Sequence, residues 1–310
     1  MTSRSALVDE RLAHAAALLG PRADRDVPIG ARTTYRVGGA AALYVEIEGQ
    51  RDVEAVATAV AASGVEVFVL GNGSNLVVAD AGFPGLVVAL GPSYASLSLD
   101  GDPGLVVAGG ACDYPVLARR SAAAGLSGME WAVGIPGSVG GGVRMNAGGH
   151  GAQTAERLVR ARVVDLRTGA ERDADPAGLG LAYRRSGLSA GEVVLEASFR
   201  CEQGDAEASA AEIASIVRWR RANQPGGRNC GSVFANPPGD AAGRLVELAG
   251  MKGARVGSAA VSTRHANFIQ VDASGSADDV LRLVDLVRAR VAERCGVTLE
   301  LELRLIGVAR

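Results

Sequence analysis

Lysine is almost missing from this chain. Lys252 is the only one, and the other 31 basic residues are arginines. Schiff-base chemistry at a lysine therefore rests on Lys252 or on nothing, and an anion must be met by arginine or by backbone N–H groups. The four cysteines, Cys112, Cys201, Cys230 and Cys295, form no C-x-x-C pair, and there are three histidines, His14, His150 and His265. That supplies a zinc site poorly, and no metal is expected. Scattered thiols fit a reducing compartment. No run approaches the roughly 20 apolar residues of a membrane span. The apolar stretch at residues 12–19 contains His14 and follows Asp9, Glu10 and Arg11, which is wrong for a secretory signal. A formal net charge of −2 leaves no global basic field for nucleic acid or an anionic membrane. No G-x-G-x-x-G fingerprint occurs, which argues against a Rossmann dinucleotide site. The expected protein is cytoplasmic and works on neither nucleic acid nor membrane.

What is present is typical of a globular enzyme: 310 residues, 48% apolar, 21% charged and 4% aromatic. That length suggests about two domains and buries roughly three quarters of the unfolded surface, so disulfide staples are unnecessary. The 42 glycines are about twice the usual share. They cluster rather than repeat, so neither a collagen-like nor a low-complexity chain is in view.

Apolar periodicity predicts an amphipathic helix over residues 5–19, then a strand at 43–47, a helix carrying Val53, Val56, Ala57 and Val60, and a strand at 65–70. Strands follow at 86–90 and 105–108, then a helix at 114–124 and a Gly-rich loop at 134–151. Arg167-Thr168-Gly169 reads as a hairpin turn, and 192–201 as a long strand. Beyond Gln203-Gly204-Asp205 the rhythm changes. A helix over 206–223 stops before Pro225, another at 241–249 ends at Gly250, and 267–272 is a strand. Ser276 with Asp279 resembles a capping box for a helix through Arg294. Strict alternation from 297 to 306 predicts a closing strand. The class is α+β with segregated elements, not a doubly wound sheet.

Several segments can carry chemistry. Gly71-Asn72-Gly73-Ser74-Asn75 follows a strand and is either a plain turn or a concave nest of N–H groups suited to a pyrophosphate. It is no P-loop, since no G-K-[ST] follows. The run from Gly134-Ile135-Pro136-Gly137-Ser138 to Gly140-Gly141-Gly142 is dense enough to let backbone approach a flat ligand. Gly187-Leu188-Ser189-Ala190-Gly191 matches a nucleophile elbow, but a strand rather than a helix follows it. Arg218, Arg220, Arg221 and Arg228 flank the loop Gly231-Ser232-Val233-Phe234-Ala235-Asn236-Pro237. They form either a solvated helix face or a forked grip for a diphosphate. Glu300 and Glu302 share the polar face of the last strand, exposed or aimed into a cleft, and periodicity does not choose between them.

Taken in order, these segments resemble one family over nearly the whole chain, from about Thr33 to Gly307: the UDP-N-acetylenolpyruvoylglucosamine reductases, and among them the shorter subtype. Thr33-Thr34-Tyr35-Arg36-Val37-Gly38-Gly39-Ala40 is similar to the family's first motif. Residues 70–76 resemble its first flavin loop. Gly134 to Gly141 and Met145-Asn146-Ala147-Gly148 resemble its second. Tyr183-Arg184-Arg185-Ser186, Cys230 to Phe234 with Asn236-Pro237, Ser262 with His265-Ala266-Asn267-Phe268, and Leu299 with Glu302 and Ile306-Gly307 complete the series.

The resemblance implies a two-lobed FAD-binding domain of the vanillyl-alcohol-oxidase type at residues 1–85 and 86–204, then an α+β substrate-binding domain at 205–310. It implies non-covalent FAD, held by Tyr35, by Gly71, Asn72, Gly73, Ser74 and Asn75, and by Gly134, Ile135, Gly137, Ser138, Gly140 and Gly141. It implies a ping-pong reaction that uses NADPH to reduce UDP-N-acetylglucosamine enolpyruvate to UDP-N-acetylmuramate for peptidoglycan, by a monomer. Arg184 and Glu302 would stabilise the enolate-like intermediate and Ser232 would protonate it; Tyr183, Arg220, Arg221, Asn236 and His265 would bind substrate. Developing negative charge beside a carboxylate favours a permanent cation and a protonated acid, which agrees with the residue types. Ala235, Gly149-His150 and Gln270 depart from the family pattern, and Ala235 puts one phosphate contact in doubt. Two other readings are a flavin oxidase of the same fold, with His150 or Cys112 as covalent flavin ligands, and a non-catalytic nucleotide-sugar binding protein.

Overall fold

A computed structural model of the chain describes residues 4–308. The residues fall into two compact units, and neither is continuous in sequence. The first is Met1–Asp26, Ala42–Asn72 and Pro84–Trp219; the second is Val27–Ala41, Gly73–Phe83 and Arg220–Arg310.

The first unit holds two sheets and two cores. A four-stranded sheet runs in the order Asp24–Val27, Ala41–Ile47, Phe83–Leu90, Val67–Leu70, with the last two strands parallel. The helix Gln50–Ser63 lays Val53, Val56, Ala57 and Val60 into the protein, as their three- and four-residue spacing requires. It ends at Gly64, whose φ of 64° lets its N–H reach back to the Val60 carbonyl at 2.9 Å. Val53, Val56 and Val60 join Leu43, Val45, Ile47, Leu86 and Val88, and Ala15 and Leu19 of the helix Arg4–Leu19, in one core.

The five-stranded antiparallel sheet is ordered Glu171–Ala174, Leu158–Asp165, Glu192–Arg200, Leu105–Gly109, Leu97–Ser98. Its central strand is apolar on both faces because both are covered. Val193 and Leu195 face the first core, while Val194, Ala197 and Phe199 face a second one with Tyr114, Leu117, Trp131, Val139 and Val143. The helix Ala206–Asn223 sends Ile213 and Ile216 into this second core. The compact boundary therefore falls within the helix, between Trp219 and Arg220, and not at residue 204.

In the second unit the helix Ala277–Cys295 buries Val280, Leu283, Val284, Val287 and Val291. They share a core with residues of the three-stranded antiparallel sheet Arg255–Val256, Ala259–Val261, Ile269–Val271 and of the helix Ala242–Leu248. The expected capping box is only half formed. Ser276 Oγ accepts the Asp279 N–H at 3.2 Å, but the Asp279 carboxylate turns to Ser258, accepting from its N–H and its hydroxyl at 2.7 Å each.

The continuous strand expected over 297–306 is also corrected. Burial alternates from Val297 to Glu300 but not beyond, and the segment changes partner midway. Leu301 makes an isolated bridge to Phe234, and only Arg304–Ile306 is a strand, parallel to Leu76–Val78. Period two reports which face is buried; it says nothing of which neighbour supplies the ladder.

Candidate active site

The two Gly-rich loops differ in what their backbones have left to offer. Among the described residues, no backbone N–H from Gly71 to Asn75 donates a hydrogen bond within the protein. Consecutive unused donors in a glycine loop fit an anion such as the FAD pyrophosphate. Gly73 has a φ of 61°, and a Cβ there would lie 2.6 Å from the Arg32 carbonyl oxygen. Its own carbonyl accepts the Thr34 N–H at 3.0 Å. The Thr33-Thr34 motif thus holds this end of the loop.

The loop at 134–141 has spent most of its donors. Ile135, Gly137, Val139 and Gly140 donate to the carbonyls of Ala132, Ile135, Cys112 and Gly110 at 2.8–3.0 Å. Gly141 donates to Ser138 Oγ, which caps the short helix Val139–Arg144. The N–H of Ser138 remains without an acceptor among the described residues. Its glycines serve close packing: a Cβ at Gly142 would meet the Tyr114 ring at 2.0 Å, and one at Gly140 the Gly110 carbonyl at 3.1 Å. The two loops meet within the first unit, where a Cβ on Gly71 would lie 2.7 Å from Ser138 Oγ. Asn72 Nδ2 donates to Asp113 Oδ1 at 2.5 Å, so its side chain is already engaged.

Arg184 stands at the tip of a two-residue turn. Ala182 and Arg185 exchange both backbone hydrogen bonds, and Arg184 itself adopts a φ of 56°. That left-handed conformation normally calls for glycine. The guanidinium is held by a hydrogen bond from Nη2 to the Gly148 carbonyl at 2.9 Å and lies 5.0 Å over the exposed Tyr183 ring. Asn146, also left-handed and buried, fastens the same turn: its Nδ2 donates to the Ala182 carbonyl at 3.1 Å and its Oδ1 accepts the Ala155 N–H at 2.9 Å. The motif 145–148 and the motif 183–186 are thus one assembly in the first unit.

In the second unit three motifs converge. The Glu302 N–H donates to the Val233 carbonyl at 2.9 Å, so Glu302 lies directly against the Ser232 loop. Asn75, the last residue of the first flavin loop, donates from Nδ2 to the Glu302 carbonyl at 3.1 Å. Buried Asn267 clamps the loop from behind. Its Oδ1 accepts the Phe234 N–H at 3.0 Å, its Nδ2 donates to the Phe234 carbonyl at 2.8 Å, and its own carbonyl accepts the Val233 N–H. The Ser232 hydroxyl is half-buried and has no hydrogen-bond partner among the described residues. Next to it, burial pushes the Cys230 thiol up to about 12, and the nearby Glu302 charge adds to that. Glu300 is exposed and Glu302 is half-buried, which separates two residues that period two could not.

Comparison with known proteins identifies the family. Residues 220–306 match the family described as UDP-N-acetylenolpyruvoylglucosamine reductase, C-terminal domain, and residues 41–175 match the FAD binding domain. A UDP-N-acetylenolpyruvoylglucosamine reductase of Rubrobacter xylanophilus is 44% identical over 93% of this chain and 97% of its own length. A second, from Symbiobacterium thermophilum, is 41% identical over 92% of each. The crystal structure of the Thermus caldophilus reductase superposes with a TM-score of 0.79 at 36% identity, covering 92% of this chain and 99% of that one. The chain belongs to the UDP-N-acetylenolpyruvoylglucosamine reductase family. It is an FAD-dependent oxidoreductase with the FAD-binding fold and C-terminal domain of that family.

Other expected ligand residues meet mixed circumstances. The Tyr35 ring lies wholly in the core of the second unit and its hydroxyl donates to the Ile269 carbonyl at 3.0 Å, so it has no exposed side-chain group to offer a cofactor. His265 is half-buried and desolvation lowers its pKa; its Nδ1 accepts the Asn267 N–H, within the turn that presents Asn267. Asn236 Oδ1 accepts the Ala242 N–H at the start of the helix Ala242–Leu248. Arg220 is half-buried, has no ion-pair partner among the described residues, and burial lowers its pKa. Arg221 is exposed. Cys112, considered as a covalent flavin ligand, is buried with its thiol pushed up to about 11, an inert environment. His150 adopts a φ of 54°, its ring edge-to-face with Trp219 at 5.2 Å. Asn146 and Asn267 lay inside the quoted motifs without an assigned role; a buried amide between glycine or turn residues was the signal available.

Proposed function

We infer that the reduction of UDP-N-acetylglucosamine enolpyruvate to UDP-N-acetylmuramate is carried out here by Arg184, Ser232 and Glu302. Bound FAD supplies the hydride, taken from NADPH, and residues 71–75 with Ser138 would hold it through backbone N–H groups. Addition of hydride at the methylene carbon leaves negative charge on the adjacent carbon and the carboxylate. Arg184 meets that charge with a planar, permanently protonated fork, and Glu302 offers a carboxyl proton to the same oxygens. Ser232 delivers a proton from Oγ to the adjacent carbon. A serine is a feeble acid in water, but a strongly basic carbon acceptor makes the transfer downhill.

The observation that carries this reading is the meeting of three distant motifs in the second unit: Asn75, Glu302 and the Ser232 loop joined by hydrogen bonds. Arg184 supports it from the first unit, in a backbone conformation that a merely structural arginine would rarely hold. Arg220, half-buried without a counterion among the described residues, would take the substrate diphosphate, with Arg221, Tyr183, Asn236 and His265 as further contacts. A cytoplasmic monomer goes with this reading. No described helix is long and apolar enough to cross a membrane. The test is NADPH oxidation by the purified holoenzyme with and without the enolpyruvyl substrate. Oxidation should depend on that substrate and yield UDP-N-acetylmuramate. Equal oxidation without it, with oxygen consumed instead, would point to an oxidase.

A further inference from the structure

We propose that Asn75 is a positioning residue for Glu302, so that seating of the flavin loop and placement of the acid are coupled. The proposal rests on the reading of Glu302 as the acid. Both polar groups of the Glu302 backbone are held. Its N–H donates to the Val233 carbonyl at 2.9 Å, and its carbonyl accepts from Asn75 Nδ2 at 3.1 Å. The Asn75 carbonyl in turn accepts the Arg304 N–H at 3.0 Å. One residue therefore grips the chain on both sides of Leu303, where the C-terminal segment leaves Phe234 and joins Leu76–Val78 in parallel register.

The two grips differ in kind. The Val233 contact is main chain to main chain and tolerates any side chain. The Asn75 contact needs a side-chain donor of that reach. The backbone N–H of Asn75 donates to nothing among the described residues, like those of its four predecessors in the flavin loop. Asn75 thus has its backbone available to the cofactor and its amide committed to the acid, and anything that orders the first orders the second. By linkage, a well-placed Glu302 should in turn favour the flavin-bound loop. Small misplacements of a reacting group cost much more than the lost hydrogen bond itself, up to about 10²-fold for about 1 Å.

The test uses holoenzyme with excess FAD and stopped-flow measurement of each half-reaction. In Asn75→Ala, reoxidation by UDP-N-acetylglucosamine enolpyruvate should slow about 10- to 100-fold, and by more than any slowing of reduction by NADPH. In a Glu302→Gln background, Asn75→Ala should add less than about threefold, because a residue acting through another has no effect once that other is gone. The assignment is overturned by unchanged reoxidation in Asn75→Ala, by equal slowing of both half-reactions, by full multiplication of the two losses, or by flavin loss that excess FAD does not restore. Normal turnover by Glu302→Gln would be a different failure, that of Glu302 as the acid. An impaired Glu302→Gln beside an unaffected Asn75→Ala retires the Asn75 assignment alone.

Discussion

Ser232 has a hydroxyl without a partner among the described residues, in a loop tied down at Val233 and Phe234 by bonds to Asn267 and Glu302. That combination suits a group that must arrive at one place and then give up a proton. Such a donor acts only after the hydride has moved. Ser232→Ala should therefore leave FAD content and NADPH-driven bleaching nearly intact. Reoxidation of the reduced enzyme by the enolpyruvyl substrate should slow by roughly 10²–10⁴-fold, the range for a positioned acid. Ser232→Cys should restore part of it. If bleaching and reoxidation slow together, the serine is structural and the proton comes from elsewhere. Cys230 does not compete for this role, since its side chain is buried in the core of the second unit. Arg184 illustrates the other way a residue is committed to function: its left-handed backbone costs of order 1–3 kcal/mol and is retained by Asn146 and Gly148.

Among the elements, the helix Ala277–Cys295 has the most legible start, and its chemistry is testable by pH. The Asp279 carboxylate accepts from the Ser258 N–H, from the Ser258 hydroxyl and from Arg282, and these bonds, largest first, hold its pKa at about 2. The folded value lies below the roughly 3.9 of an unfolded aspartate. Its contribution is therefore complete above about pH 4 and is lost as pH falls through about 2. Asp279→Asn should lower the melting temperature at pH 7, and the gap from wild type should narrow across that window. Thermal melts followed by circular dichroism between pH 7 and pH 3 would show it. A gap that does not change with pH would assign the effect to lost geometry and not to charge.

At the scale of the whole molecule, the scarcity of lysine and the modest charge leave anion binding to arginine and backbone. The flavin should accordingly be held without a covalent bond. Acid precipitation of the holoenzyme should release all of its FAD into the supernatant; colour remaining in the pellet would overturn the claim. Because a ligand bound only by the folded state stabilises it by mass action, FAD at about 100 times its Kd should add about 2.7 kcal/mol. The melting temperature of the stripped protein should keep rising with the logarithm of the FAD concentration.

Sequence by itself determined the elements whose burial follows a period. The helices 206–223 and 277–295 came out within a residue or so of their patterns, and 50–63 buries the stripe Val53, Val56, Ala57 and Val60, because an amphipathic stripe buries in only one way. The motifs in order were enough to place the chain in its family. Periodicity could not say which neighbour a segment would choose. It gave 297–306 a single strand, whereas tertiary contacts divide it between Phe234 and Leu76–Val78. Composition marked the loop at 134–142 as a cradle and left 71–75 between a turn and an anion nest, but only hydrogen-bond accounting distinguishes the unused donors at 71–75 from the spent ones at 134–141. Glu300 and Glu302 look alike in sequence; exposure of one and the grip of Val233 and Asn75 on the other separate them. The choices at 297–306 and at Glu302 depend on residues more than 60 positions apart, and no local pattern carries information about partners at that range.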